Sequence, residues 1–350
     1  MMNTTMKYFK GSFATVAIGV ALAYWIGGGS FAIVLTTLIL AVLEVSLSFD
    51  NAVVNATVLR DMEPKWRQRF ITWGMLIAVF GMRMVFPLLI VSVVAGVNMW
   101  EALNIATFTP DKYSEIMTSA HVSVAAFGGA FLAMVFFKYF IDEEKDVHWI
   151  AVIEQPLTKL GKIEAVEIGL VLVVMYFVSK YIDPTEQVSF WVSGAMGLVT
   201  YIAVDGLGAL LSTEETQHDG TVMAAKSGFA SFMYLEVLDA SFSFDGVIGA
   251  FALTNNFFII AIGLGIGAMF VRSLTIMLVE KGTLEQFKYL ESSAFWAIGA
   301  LATIMFLGSF MHISEIITGL ISVSFIAAGV IHSVIENRNE KTDVQVETVV

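Results

Sequence analysis

The side chains best suited to chemistry lie in two matching segments. Leu43-Glu44-Val45-Ser46-Leu47-Ser48-Phe49-Asp50-Asn51 aligns without gaps to Leu238-Asp239-Ala240-Ser241-Phe242-Ser243-Phe244-Asp245-Gly246. Leucine, acid, both serines, phenylalanine and aspartate coincide. Each segment is embedded in a long apolar stretch, where an ionised side chain costs roughly 2.5–3.5 kcal/mol even on a permissive membrane-insertion scale. Glu44, Asp50, Asp239 and Asp245 therefore need protons, arginines or a bound cation to offset their charge. On a helix, Glu44, Ser48, Asn51 and Asn55 follow at spacings of four, three and four and form one polar stripe. Asp239 and Ser243 begin the counterpart stripe, which continues through Gly246 and Ala250. Asp50 and Asp245 lie beside these stripes, and a helix break at Ser-Phe-Asp would turn them inward.

The available donors are all oxygens. The chain has no Cys, and neither segment contains His, so zinc or copper is a poor match. Carboxylate, amide and hydroxyl oxygens suit Mg²⁺, Ca²⁺ or Mn²⁺, and the same acids could carry protons or Na⁺. Arg83 and Arg272 occupy matching places in the spans that follow. Four carboxylates and two arginines sum to −2, which one divalent cation neutralises. This defines the expected metal site as Glu44, Asp50, Asn51, Asp239 and Asp245, with Arg83 and Arg272 balancing charge. Ser48, Asn55, Ser243 and Asp205 are the expected pathway residues. The metal is read as cargo, with protons as an exchange partner, and no resident cofactor is expected.

The elements that must position these residues are membrane helices. Of the residues, 57% are hydrophobic and 14% charged, against roughly 25% charged in a soluble domain. A net charge of −12 argues against nucleic acid as a partner and leaves the lipid bilayer as the surroundings. Ten stretches are apolar enough to span: 11–29, 31–59, 69–97, 119–141, 164–182, 189–211, 227–254, 257–280, 292–311 and 315–335. Lys7 and Lys10 precede the first, and the absence of a small-x-small cleavage site reads it as a retained helix. The fold expected is an all-α membrane protein of about ten transmembrane helices.

The likeness of the two segments extends beyond them. Gly74 and Arg83 match Gly263 and Arg272 at the same internal spacing, and Gly129-Ala130 matches Gly299-Ala300. Spans two to four thus recur as spans seven to nine. An offset of five spans inverts the second copy, the arrangement in which secondary transporters place substrate between repeats at the midplane. The organisation expected is an N-terminal helix (1–30), a first repeat (31–142), a linker with two further helices (143–226), a second repeat (227–314) and a C-terminal helix with a polar, disordered tail (315–350). Basic residues after the even-numbered spans, Lys226 among them, place both termini in the cytoplasm of a cell (inner) membrane protein.

LEVSLSFDNAVV and LDASFSFDGVIGAFALT resemble the two acidic signatures of the TerC/Alx family of integral membrane proteins, and most closely its longer branch, which belongs near the LysE-type exporters. The resemblance covers roughly residues 31–335. It implies divalent metal homeostasis, manganese export above all, with Glu44, Asp50, Asn51, Asp239 and Asp245 at the metal positions. Gly246 departs from the pattern where the first copy has Asn51, as do the two extra spans in the linker.

Two other classes compete. A membrane scaffold or metal-delivery partner would tolerate loss of the acids. An intramembrane aspartyl protease would use Asp50 and Asp245 as a dyad, yet neither has the flanking residues that such a dyad requires. HExxH and GxSG are absent, and no enzymatic activity is expected.

Overall fold

Long apolar segments in a medium without water must satisfy their backbone groups internally, which makes them helices. The computed structural model describes residues 2–74, 76–211, 213–216, 222–225 and 228–347. Lys226, one of the residues used for orientation, lies outside them. Helix α1 spans Met2–Ile26, α2 Phe31–Leu47, α3 Phe49–Asp61 and α4 Pro64–Arg69. Two π-helical segments, Phe70–Gly74 and Ile77–Val85, lead into α5 (Phe86–Ala95). Next come α6 (Met99–Phe108), α7 (Pro110–Ser119), α8 (His121–Ile141), α9 (Ala151–Thr158), α10 (Val166–Ser179) and α11 (Gln187–Leu211). A short antiparallel hairpin, β1 (Thr213–Thr216) with β2 (Val222–Ala225), precedes α12 (Gly228–Ala250). The chain ends with α13 (Phe257–Glu280), α14 (Thr283–Gln286), α15 (Leu290–Gly308) and α16 (Glu315–Glu347).

Six helices among the described residues are long and apolar enough to cross a membrane, or up to eight if each bent pair is one span. The bent pairs are Phe31–Leu47 with Phe49–Asp61, at 51°, and Pro64–Gly74 with Val79–Ala95, at 43°. Two of the ten expected spans fall outside this count for physical reasons. Helix α10 has 14 residues, about 21 Å at 1.5 Å per residue, short of the hydrocarbon core of about 30 Å. Helix α12 has 23 residues, but Glu236, Asp239 and Asp245 lower its apolarity.

Packing partners are reciprocal between the two copies. Helix α13 lies along α2 and α3, and the α4–α5 stretch lies along α12. Helix α15 meets α3, α8 meets α12, and α8 and α15 pack on each other. Matched glycines sit at matched contacts. A Cβ at Gly263 would come within 2.6 Å of Leu40 Cβ, and one at Gly74 within 2.8 Å of Glu236 Oε1. Small residues at such places let helices approach closely in a membrane.

Three stretches are more ordered than their composition suggests. The 98–118 loop forms α6 and α7, capped by Asn98 on the Glu101 N–H at 2.9 Å and anchored by buried Tyr113 and Met117. The polar tail continues α16 to Glu347, where Glu336, Arg338, Glu340 and Lys341 favour helix and no proline intervenes. The connector after α8 folds around Glu154, which is fully buried. Its carboxylate accepts from Lys145, from the backbone N–H of Trp149 (3.1 Å) and Ile150 (2.9 Å), and from Trp296 Nε1 on α15 (2.9 Å). Burial raises the Glu154 carboxyl, but these donors outweigh it and hold the group below the ordinary glutamate range.

Candidate functional site

The first acidic segment breaks and the second does not. Helix α2 ends at Ser48, whose backbone (φ −106°, ψ 18°) leaves the helical region while its N–H still bonds to Glu44 O at 3.0 Å. Helix α12 runs unbroken from Gly228 to Ala250 through the second segment. The repeat is therefore asymmetric where its sequences agree best. The backbone of Asp245 belongs to α12, while its side chain, like that of Phe244, lies outside what is described.

The polar stripe lines one cavity of about 50 Å³ between α2, α3, the π-helical segments, α12 and α13. Glu44, Ser48, Asn51 and Asn55 form one wall, and Asp239, Arg83, Arg272 and Thr275 contribute from the others. One water needs about 10–15 Å³ on this measure, so the cavity holds a few waters or a small ion. It has no room for an organic substrate or a peptide.

Asn55 and Arg83 help bind the copies together across this cavity. Asn55 Nδ2 donates to Asp239 Oδ1 at 2.9 Å. The Arg83 guanidinium donates to Glu44 of the first copy and to Ser243 of the second, and both ends of the ion pair are buried. Ser48 Oγ also donates to Glu44 at 2.9 Å. Gly246 has a steric role here: a Cβ at that position would lie 3.0 Å from Glu44 Oε2, so an asparagine matching Asn51 would crowd the carboxylate.

The expected site residues separate into groups. Glu44, Asn51 and Asp239 share the cavity with Ser48, Asn55 and Arg83. Asp50 does not line it. Its carboxylate is wholly buried and accepts from Ser322 of α16 at 3.3 Å. Arg272 lines the cavity but pairs with no carboxylate among the described residues. It grips the Ile71 carbonyl in the first π-helical segment through Nε (3.1 Å) and Nη2 (2.6 Å). Asp205 lines a separate cavity of about 250 Å³ with Tyr201, Tyr234, Lys138 and Asp142. His121 Nε2 lies 3.1 Å from Gly308 O.

Glu236 escaped the reading of the sequence. It is buried on α12, one turn before Asp239, and neither carboxylate oxygen has a hydrogen-bond partner among the described residues. The available signal was an acid at i, i+3 from Asp239 within an apolar run. The first copy has Ala41 at the matching place, so a search for repeated residues passes over it. Asn51 Oδ1 and Asn55 Oδ1 are likewise buried acceptors without partners among the described residues. Among the described residues, no three His, Cys, Asp or Glu side chains are grouped so as to hold a metal ion.

Paired helices with apolar exteriors around a small, charged interior define an all-α, multi-pass membrane protein. The chain belongs to the family described as Protein of unknown function (DUF475), whose model matches residues 49–340. No curated protein and no solved structure matched it.

Proposed function

We propose that this protein carries a divalent metal cation across the membrane. One observation carries the reading: matched acids from the two copies, Glu44 and Asp239, line a single ion-sized cavity in which the amide oxygens of Asn51 and Asn55 are buried acceptors without a partner among the described residues. Unpartnered buried acceptors attract a hard cation. A carrier must also release its cargo, which the mixed carboxylate and amide lining of Glu44, Asp239, Asn51 and Asn55 supports.

Mn²⁺ as the cargo, export as the direction and a cell (inner) membrane location rest on the resemblance to the TerC/Alx family. The reciprocal packing of the copies supports an inverted repeat with the cavity near the midplane. The excess of Lys and Arg beside alternate spans supports cytoplasmic termini. In this reading Asp50 reaches the site by rotation of α3 about the bend at Ser48, and Asp245 is a further ligand from the second copy. The small cavity disfavours the protease reading, since a peptide does not fit.

The test is Mn²⁺ flux in proteoliposomes holding the full chain. Glu44→Gln and Asp239→Asn should each lower flux at least about tenfold, the effect of losing about 1.4 kcal/mol of binding. Undiminished flux in both variants, or none in the parent protein for Mn²⁺, Mg²⁺ or Ca²⁺, would turn the reading toward the scaffold.

A further inference from the structure

Glu236 has an unusual position for a carboxyl group. It is about nine-tenths buried, at 6% exposure, and both its oxygens lack a hydrogen-bond donor among the described residues. An ionised carboxylate in such a place carries a desolvation cost of several kcal/mol with nothing to offset it. The neutral acid carries no such cost.

Among the described residues, several charged groups on the neighbouring elements hold other partners. Arg83, on the second π-helical segment, is held by Glu44 of α2 and Ser243. Arg272 of α13 is held by the Ile71 carbonyl. Asp50 of α3 is bonded to Ser322 of α16. Arg67 of α4 donates to the carbonyls of Arg60 and Met62. On its own helix, Asp239 is bonded by Asn55 and adds only repulsion. Toward α8 and α11, the titratable groups Lys138, Tyr139, Asp142, Tyr201, Tyr234 and Asp205 surround the separate larger cavity.

Glu236 nonetheless borders the cation cavity in two ways. Gly74, in the cavity wall, leaves the space that Glu236 Oε1 fills, since a Cβ there would be 2.8 Å away. Asp239, also in the wall, is one helical turn along the same face.

We infer that Glu236 is a proton-binding site beside the cation cavity, protonated when the cavity holds no metal and deprotonated when a divalent cation enters. This rests on the cation reading above and names the ion exchanged. The step balances: the cation brings two positive charges, the Glu236 carboxyl loses one proton to cavity water, and the resulting carboxylate offsets part of the added charge. The charged groups that line the cavity, Glu44, Asp239, Arg83 and Arg272, sum to zero, so the Glu236 carboxylate offsets one of the two charges that the cation adds.

Infrared difference spectroscopy on the purified full chain in nanodiscs tests this without transport. The metal-free protein should show the carbonyl band of a protonated carboxylic acid, and Mn²⁺ should remove it. Glu236→Gln should lack that band. In parallel, weakly buffered protein with a pH dye should release about one proton per Mn²⁺ bound, and Glu236→Gln should bind Mn²⁺ with that release lost. An unchanged proton release in Glu236→Gln overturns the assignment, as does a metal-insensitive band in the parent protein, which needs no variant to fold. Failure of the parent protein to bind Mn²⁺ overturns the cation reading together with this one, so the two failures are separable.

Discussion

Arg83 and Glu44 form a buried ion pair between a π-helical segment and the broken end of α2. π-Segments are rare and often mark functional sites. Removing one member leaves the other charged and unpaired. Arg83→Gln and Glu44→Gln should therefore each destabilise the protein by about 3–5 kcal/mol, Arg83→Gln the less, because the stranded carboxylate can take up a proton and a stranded guanidinium cannot lose one. The double variant should recover much of the Arg83→Gln loss. Thermal unfolding of the four proteins in one detergent measures this cycle, and additive effects would deny the pair any coupling.

Close helix approach under that pair gives the next prediction. Gly267 of α13 faces α2 so tightly that a Cβ there would lie 2.4 Å from Glu44 Cβ and 2.8 Å from the Ala41 carbonyl. The backbone carbonyl cannot swing aside. Gly267→Ala should cost about 1–3 kcal/mol through overpacking and displace the Glu44 stem. At Gly169 of α10 an added Cβ meets nothing within 4 Å. Gly169→Ala should stabilise by about 0.4–1 kcal/mol by restricting the unfolded chain. Melting temperatures of the two variants should move in opposite directions.

These contacts show how far local periodicity reaches. The four-three-four spacing of Glu44, Ser48, Asn51 and Asn55 places them on one face whatever the surroundings, and that face lines the cavity. The register match also anticipates that Asp239 stands opposite them. Periodicity says nothing of partners distant in the chain. That Arg272 holds a backbone carbonyl rather than a carboxylate follows from the π-helical geometry around Ile71, which has no sequence marker. The break at Ser48 was open in both copies, since the two segments read alike. Glu236 was hidden because the repeat comparison looks for what the copies share.

Asp50 and Ser322 provide a third test. The acid lies beside the break in the first copy, and its recorded side-chain donor comes from α16, far along the chain. Ser322→Ala would leave a buried carboxylate oxygen without that donor, at a cost of about 1–3 kcal/mol, nearer the lower figure given the 3.3 Å length. Ser324, two residues on, returns its hydroxyl to the Leu320 carbonyl at 2.6 Å on an exposed face. Ser324→Ala should stay within about 0.5 kcal/mol of the parent protein. Equal effects at the two positions in denaturant unfolding would detach Asp50 from α16.

Glu154 makes docking of the polar connector dependent on pH, and the sign follows from its environment. Burial alone would raise this carboxyl, but the Ile150 N–H, Lys145 and Trp296 hold it below its ordinary value of 4.5. The undocked connector then binds more protons than the docked one in the interval between the two values. The stabilisation is complete above about pH 4.5 and disappears as pH falls through the docked value. Glu154→Gln removes the charge-assisted bonds at every pH, at a cost of about 1.5–3 kcal/mol. Limited proteolysis of the connector between about pH 3 and 7 should show the parent protein becoming susceptible only at the acidic end. Glu154→Gln should be more susceptible throughout and nearly flat with pH. A parent protein equally resistant at both ends would remove Glu154 as the residue that docks the connector.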